Sequence, residues 1–164
     1  MAPAGSADVR EFPPRPILGV GAIVVDSGRV LLVKRANEPL KGQWSVPGGA
    51  VELGETLVAA VRREVLEETG LLVAVGPIVE VLDRLRLDDD RRARFHYVLV
   101  DFVCRPTGGT LASGSDADAV AWAAVDELPQ YGVAEATIDV IAKALVCLQS
   151  PPAIGHRIMQ DDNP

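Results

Sequence analysis

The stretch that most narrows what this chain can become runs from Gly48-Gly49-Ala50-Val51-Glu52-Leu53-Gly54-Glu55 through Thr56 to Arg63-Glu64-Val65-Leu66-Glu67-Glu68-Thr69-Gly70-Leu71. Glycines open it, a helix-length acidic segment fills it and a glycine closes it. Thr56 or Glu55 can cap a helix start, and Gly70 suits the left-handed position just past a helix end. Val58, Val61 and Val65 recur at the three- and four-residue spacing of an amphipathic stripe. Glu64, Glu67 and Glu68 follow the i, i+3, i+4 rule, so their carboxylates share the neighbouring face, where like charges cost roughly 0.2–0.5 kcal/mol per pair. A cation turns that repulsion into attraction, and carboxylates with a backbone carbonyl and water form the hard-oxygen set that suits Mg²⁺ or Mn²⁺. A Glu-rich helix is also an ordinary solvated surface. What distinguishes this one is its glycine-rich lead-in, which lets backbone approach a ligand closely.

Gly49, five residues, Glu55, seven residues, then Arg63-Glu64-Val65-x-Glu67-Glu68-x-Gly70-Leu71 resembles a complete Nudix box, matched at every fixed position over 23 residues. The resemblance extends over about residues 17–148. It implies an α/β/α sandwich with mixed β-sheet and a catalytic loop-helix-loop, and hydrolysis of a nucleoside diphosphate linked to another moiety. Residue by residue it implies Glu67 and Glu68 as principal metal ligands with the carbonyl of Gly48 or Gly49, and Glu64 as a third ligand or the general base. Glu55 and Arg63 are implied to pair, as structural ions joining helix and loop. Glu52 is left open between metal and solvent.

The rest of the chain is consistent with one domain. At 164 residues and 48% hydrophobic content it can bury a core. A net charge of -7 argues against a general nucleic-acid surface, though not against a nucleotide neutralised by metal. Cys104 and Cys147 are far apart and form no CxxC, and read as small hydrophobes in a reducing compartment. No apolar run approaches a membrane span and no signal-peptide order opens the chain, so a cytoplasmic protein is expected.

Residues 1–16 read as a mobile arm and 149–164 as a tail, bracketing a domain over 17–148. Ile17–Val25 and Arg29–Arg35 read as a hairpin about Asp26-Ser27-Gly28. Asn37 to Gly42 reads as a loop, and Trp44-Ser45-Val46-Pro47 leads into the glycines. Leu71–Val75 is a short strand stopped by Pro77. Ile78–Leu87 and Phe95–Cys104 form a second hairpin, in which Val79, Val81, Leu85 and Leu87 alternate with Glu80, Arg84 and Arg86. Arg105–Ser115 reads as a flexible loop, Val120–Val125 as a strand, Asp126–Pro129 as a turn, and Val133–Leu148 as a second amphipathic helix with Ile138, Ile141, Ala142, Leu145 and Leu148 on its inner side. The periodicity gives α+β or mixed α/β without stating how the sheets stack.

Asp116 stands six residues before Trp122, where some relatives place an extra catalytic acid; Asp118 is its rival. Arg35, Arg84, Arg86, Arg94, His96 and Tyr131 are candidates to touch phosphate or base, with Arg35 first because it ends the strand entering the site. No asparagine lies between Leu128 and Leu148, where the oxidised-guanine sanitisers of the family read purine. The Trp44–Glu52 stretch resembles the ADP-ribose pyrophosphatase-like branch instead. The expected activity is therefore Mg²⁺-dependent cleavage of ADP-ribose or a similar nucleotide sugar. Nucleoside triphosphate pyrophosphohydrolysis and a catalytically silent nucleotide-binding module are the alternatives. The expected partner is a small nucleotide, with no nucleic-acid polymer and no membrane, and the resemblance leans towards a homodimer.

Overall fold

The computed structural model describes residues 10–37, 40–150 and 157. Residues 1–9 of the expected arm, Glu38 and Pro39 of the expected loop, and most of the expected tail therefore lie outside the described residues.

Among the described residues, seven strands and two helices follow one another as β1 (Ile17–Asp26), β2 (Arg29–Arg35), β3 (Trp44–Ser45), β4 (Gly48–Ala50), α1 (Leu57–Thr69), β5 (Leu71–Leu87), β6 (Ala93–Gly109), β7 (Ala117–Ala124) and α2 (Glu135–Gln149). β1 and β2 meet as the expected hairpin, pairing Val25 with Val30 and Asp26 with Arg29. Both linking residues have positive φ, 49° at Ser27 and 76° at Gly28, the conformation whose twist matches a two-residue hairpin. Beyond that turn the strands part. β1 lies between β4 and a parallel β6, with β5 beyond, while β2 lies beside an antiparallel β7 and the short β3.

β1 is apolar without alternation because both of its faces are covered. Val20, Ala22 and Val24 join Val100, Phe102 and Cys104 in a cluster closed by Ala60, Val61 and Val65 of α1. Ile23 and Val25 face the other way, with Leu32, Val103 and Leu128, onto Val140, Ile141 and Ala144 of α2. The two helices thus cover opposite faces of the sheet structure, giving the α/β/α layering of a mixed sheet.

α1 begins at Thr56, whose Oγ1 accepts from Ala59 N at 3.1 Å, and ends at Gly70, with φ 72° and its N–H donated to Leu66 O at 2.9 Å. Several sequence expectations change. Pro77 does not divide β5; the strand passes it through a register shift between Val75 and Ile78. β6 continues through Pro106 to Gly109, so the expected flexible loop begins later than Arg105. Val81, Leu85 and Leu87 are exposed, whereas Val79 and Leu82 are the β5 side chains packed against the second cluster. On α2 the expected Ile138, Ile141, Leu145 and Leu148 do face the second cluster, joined by Val140 and Ala144, but Ala142 is exposed. The expected turn at Asp126 is a 3₁₀ turn over Val125–Glu127. Residues 10–16 lie beside the start of β6: Phe12 N donates to Arg94 O at 2.8 Å, and Arg94 Nε reaches Glu11 Oε1 at 2.6 Å. Among the described residues no helix is long and apolar enough to cross a membrane.

Candidate active site

The glycines after Pro47 form an edge strand. β4 pairs with β1 through Gly48 opposite Gly21, Gly49 opposite Val20 and Ala50 opposite Gly19. Neither glycine has free room for a side chain. A Cβ on Gly48 would run into the Val20 carbonyl, and one on Gly49 would overlap the Glu64 carboxylate. The missing Cβ atoms bring α1 close enough for Gly48 N to donate to Glu68 Oε2 at 2.9 Å.

Arg63 clasps the loop to the helix. Its Nε and Nη2 donate to the two oxygens of Glu55, at 2.8 and 2.9 Å. Nη2 also reaches Ala50 O at 3.0 Å, and Nη1 donates to Glu64 Oε1 at 2.7 Å and Glu67 Oε2 at 3.2 Å. Glu55 Oε2 in turn accepts from Glu52 N at 3.0 Å. The Arg63 guanidinium holds the Glu55 carboxyl below its ordinary pKa. In return, Glu55, followed by Glu64, raises Arg63 further above its own.

The acids differ in environment. Glu68 is 5% exposed. Burial, followed by the charges of Glu64 and Asp116, outweighs the Gly48 N–H and the Arg35 charge and pushes its carboxyl up to about 7. Burial also raises Glu64, against the pull of Arg63. Glu67 is exposed. The three carboxylates share one helix face, but among the described residues no three Asp, Glu, His or Cys side chains converge on a single point. Arg63 keeps Glu64 and Glu67 turned towards itself. The donor set nonetheless fits a hard divalent cation: it is all oxygen, it carries excess negative charge into a buried place, and it adjoins a bend shaped to admit the Glu64 carboxylate.

Beside this edge a cleft opens over the other face of β1. It is lined by Gly19, Gly21, Gly48 and Gly49, by Arg35, and by Leu82, Arg84, Tyr97, Leu99 and Asp101 of β5 and β6, with Thr137 and Val140 of α2 at its side. Arg35 Nε is buried with no hydrogen-bond partner among the described residues. Asp116 is exposed, accepts from Asn37 Nδ2 at 3.2 Å and adds its charge to that felt by Glu68. Asp118 is exposed. Tyr131 is not among the residues lining the cleft; it packs edge-on against Trp44, ring centroids 5.1 Å apart.

Asp101, Tyr97, Thr137 and the pair Gly19 and Gly21 line the cleft without belonging to any motif in the sequence. Two signals were available: two glycines with one residue between them inside a β-branched strand, and a lone aspartate inside the apolar run Tyr97–Cys104.

A family model described as NUDIX domain matches residues 15–144. The chain is 37% identical over 115 residues to the ADP-ribose pyrophosphatase of Methanocaldococcus jannaschii, a match spanning 70% of this chain and 66% of that one. It is 37% identical over 93 residues to the mouse 8-oxo-dGDP phosphatase NUDT18, spanning 57% of this chain and 26% of the relative. Among solved structures, a MutT NUDIX hydrolase from Burkholderia pseudomallei superimposes with a TM-score of 0.67 at 31% identity, over 79% of this chain and 98% of that one.

Proposed function

The chain belongs to the Nudix family, and from that premise we propose that it hydrolyses the phosphoanhydride of nucleoside diphosphate derivatives, ADP-ribose or a similar nucleotide sugar foremost. One observation carries the reading. The cleft that holds the Arg35 Nε, partnerless among the described residues, opens at the same glycine bend that receives the buried Glu68 and half-buried Glu64 carboxylates of α1. An unpaired guanidinium N–H calls for an anion with several acceptor oxygens, and a diphosphate supplies one.

Glu67, Glu68 and the Gly48 carbonyl would hold Mg²⁺, or Mn²⁺ in its place, with Glu64 as the further ligand or the base. The cation supplies positive charge to the phosphate oxygens and acidifies water. Glu64, raised by burial yet bonded to Arg63, would take up a proton beside the bend. Asp116 is the second candidate, close enough to Glu68 to affect its charge. Arg35 and Arg84 bind substrate in the cleft, and Tyr131 lies outside its lining, against Trp44. Gly49, Glu55, Arg63 and Gly70 keep loop and helix in register. The residues over 17–148 form the catalytic domain. The two free thiols suit a reducing cytoplasm. The exposed Val81, Leu85 and Leu87 on edge strand β5 offer a homodimer contact.

Purified protein with Mg²⁺ and ADP-ribose is expected to release AMP, and Glu67→Gln to lose at least a hundredfold in kcat with an unchanged circular dichroism spectrum. Unchanged turnover in that variant would overturn the metal assignment. Release of pyrophosphate from a triphosphate, in place of AMP from ADP-ribose, would move the activity to triphosphates. Heat of binding with no turnover would make the domain a sensor.

A further inference from the structure

Nothing in the hydrolytic machinery uses Asp101. It lies on β6 beside Gly21 of β1, and Gly21 in turn faces Gly48. A Cβ on Gly21 would collide with Asp101 Oδ1, so the glycine is what lets the carboxylate lean across β1. The residue is 6% exposed, and its remaining exposure is into the cleft. Among the described residues its oxygens accept no hydrogen bond and form no ion pair. Glu80 on β5 is taken by Lys143 of α2 at 2.7 Å, and Arg84 acts on Asp101 only through its charge. Burial raises the carboxyl to about 6, and among the described residues it lacks a donor.

The surroundings are shaped for the organic part of a ligand. Gly19 and Gly21 make a floor with no side chains. Leu82, Leu99 and Val140 give apolar walls, and Tyr97 sits two residues from Leu99 on the same face of β6. Val20, between the two glycines, faces α1. The acids of α1 and the carboxylate of Asp101 are therefore on opposite sides of β1. A diphosphate crossing the edge at Gly48 would lay its attached group over the glycine floor.

We propose that Asp101 is a specificity-determining residue, whose two carboxylate oxygens accept hydrogen bonds from a pair of adjacent N–H or O–H donors on the group carried by the diphosphate. Two sources present such a pair: the vicinal hydroxyls of a ribose and the N1–H and N2–H edge of a guanine base. The inference rests on the nucleotide-binding reading above.

The test measures equilibrium binding by calorimetry on the full chain in EDTA, and KM and kcat with Mg²⁺, for the wild type, Asp101→Asn and Gly21→Ala. Asp101→Asn keeps shape and removes one acceptor. Gly21→Ala keeps the carboxylate and displaces it, so the test survives if one variant folds poorly. Both are expected to weaken the best-bound nucleotide at least tenfold, to leave kcat within about threefold, and to leave inorganic pyrophosphate binding unchanged. A penalty that vanishes with 2′,3′-dideoxy nucleotides assigns the diol; one seen with GDP and absent with ADP assigns the base edge. Equal nucleotide binding in all three proteins, or a parallel loss for pyrophosphate, overturns the proposal. Asp101-dependent binding without any hydrolysis would sink the hydrolase reading and leave this one standing. Hydrolysis at unaltered KM in both variants would do the reverse.

Discussion

A carboxylate that burial holds near pH 6 destabilises the folded chain wherever it must be ionised. The folded pKa of Asp101 lies above its ordinary 3.8, so the native state binds the extra proton between those two values. Stability must then fall as pH rises from about 4 to about 6, and stay level above that. Asp101→Asn is accordingly expected to stabilise the ligand-free protein at pH 7.5 by up to about 3 kcal/mol, the gain disappearing below pH 4. Urea midpoints across that range check it, and a variant no more stable than wild type at pH 7.5 contradicts it. Arg63 presents the opposite case, a cation whose donors are engaged by Glu55, Glu64, Glu67 and Ala50 O. Arg63→Met leaves the half-buried Glu55 carboxylate without its partner, with an expected loss of about 1–3 kcal/mol and more than tenfold in kcat/KM. Paired denaturation and rate measurements separate the two effects. The Glu55–Arg63 pairing was implied by motif resemblance alone. The lone Asp101 could not be placed from sequence, because nothing local announces that β1 and β6 run side by side.

α1 and the first hairpin were legible because each carries its own punctuation, Thr56 and Gly70 for the helix and Ser27-Gly28 for the turn. β3 and β4, of two and three residues, were not. Such strands exist through pairing with a neighbour and have no period of their own. β5 and β6 were read short because Pro77, Pro106 and two glycines interrupt their patterns, while the structure absorbs them at register shifts. The inner face of α2 was misjudged by one residue, since a helix that is apolar over most of its surface leaves the buried row ambiguous. That correction has a measurable form. Ile141, fully buried, should lose roughly 2–5 kcal/mol on substitution by alanine. Ala142→Ser should stay within about 0.5 kcal/mol. Chemical denaturation checks both, and the Ala142 variant is the one that separates the two assignments. At the end of α1, Gly70→Ala forces a side chain into a left-handed backbone and against the Thr110 carbonyl, with an expected loss of about 1–3 kcal/mol in the same assay.

Across the whole molecule, the carboxylates of α1 bring negative charge into a chain whose net charge is already -7. Mg²⁺ binding to the folded form alone would raise stability by about 2.7 kcal/mol at a hundred times its Kd. Melting scans with and without EDTA should show the rise in wild type and a much smaller one in Glu68→Gln; equal shifts would place the ion elsewhere. Layering was the part of the architecture least available from residue patterns, for the two helices are far apart in the chain and only tertiary contacts put them on opposite faces. The parallel ladder of β1 with β6 joins Ile17 to Tyr97 and continues to Val24 and Cys104, partners 80 residues apart. Closing so long a loop is slow compared with forming the helix inside it. A ribosome-bound chain can therefore display every box residue, from glycine bend to closing glycine, and still be inert, because the strand that completes the cleft has yet to be synthesised.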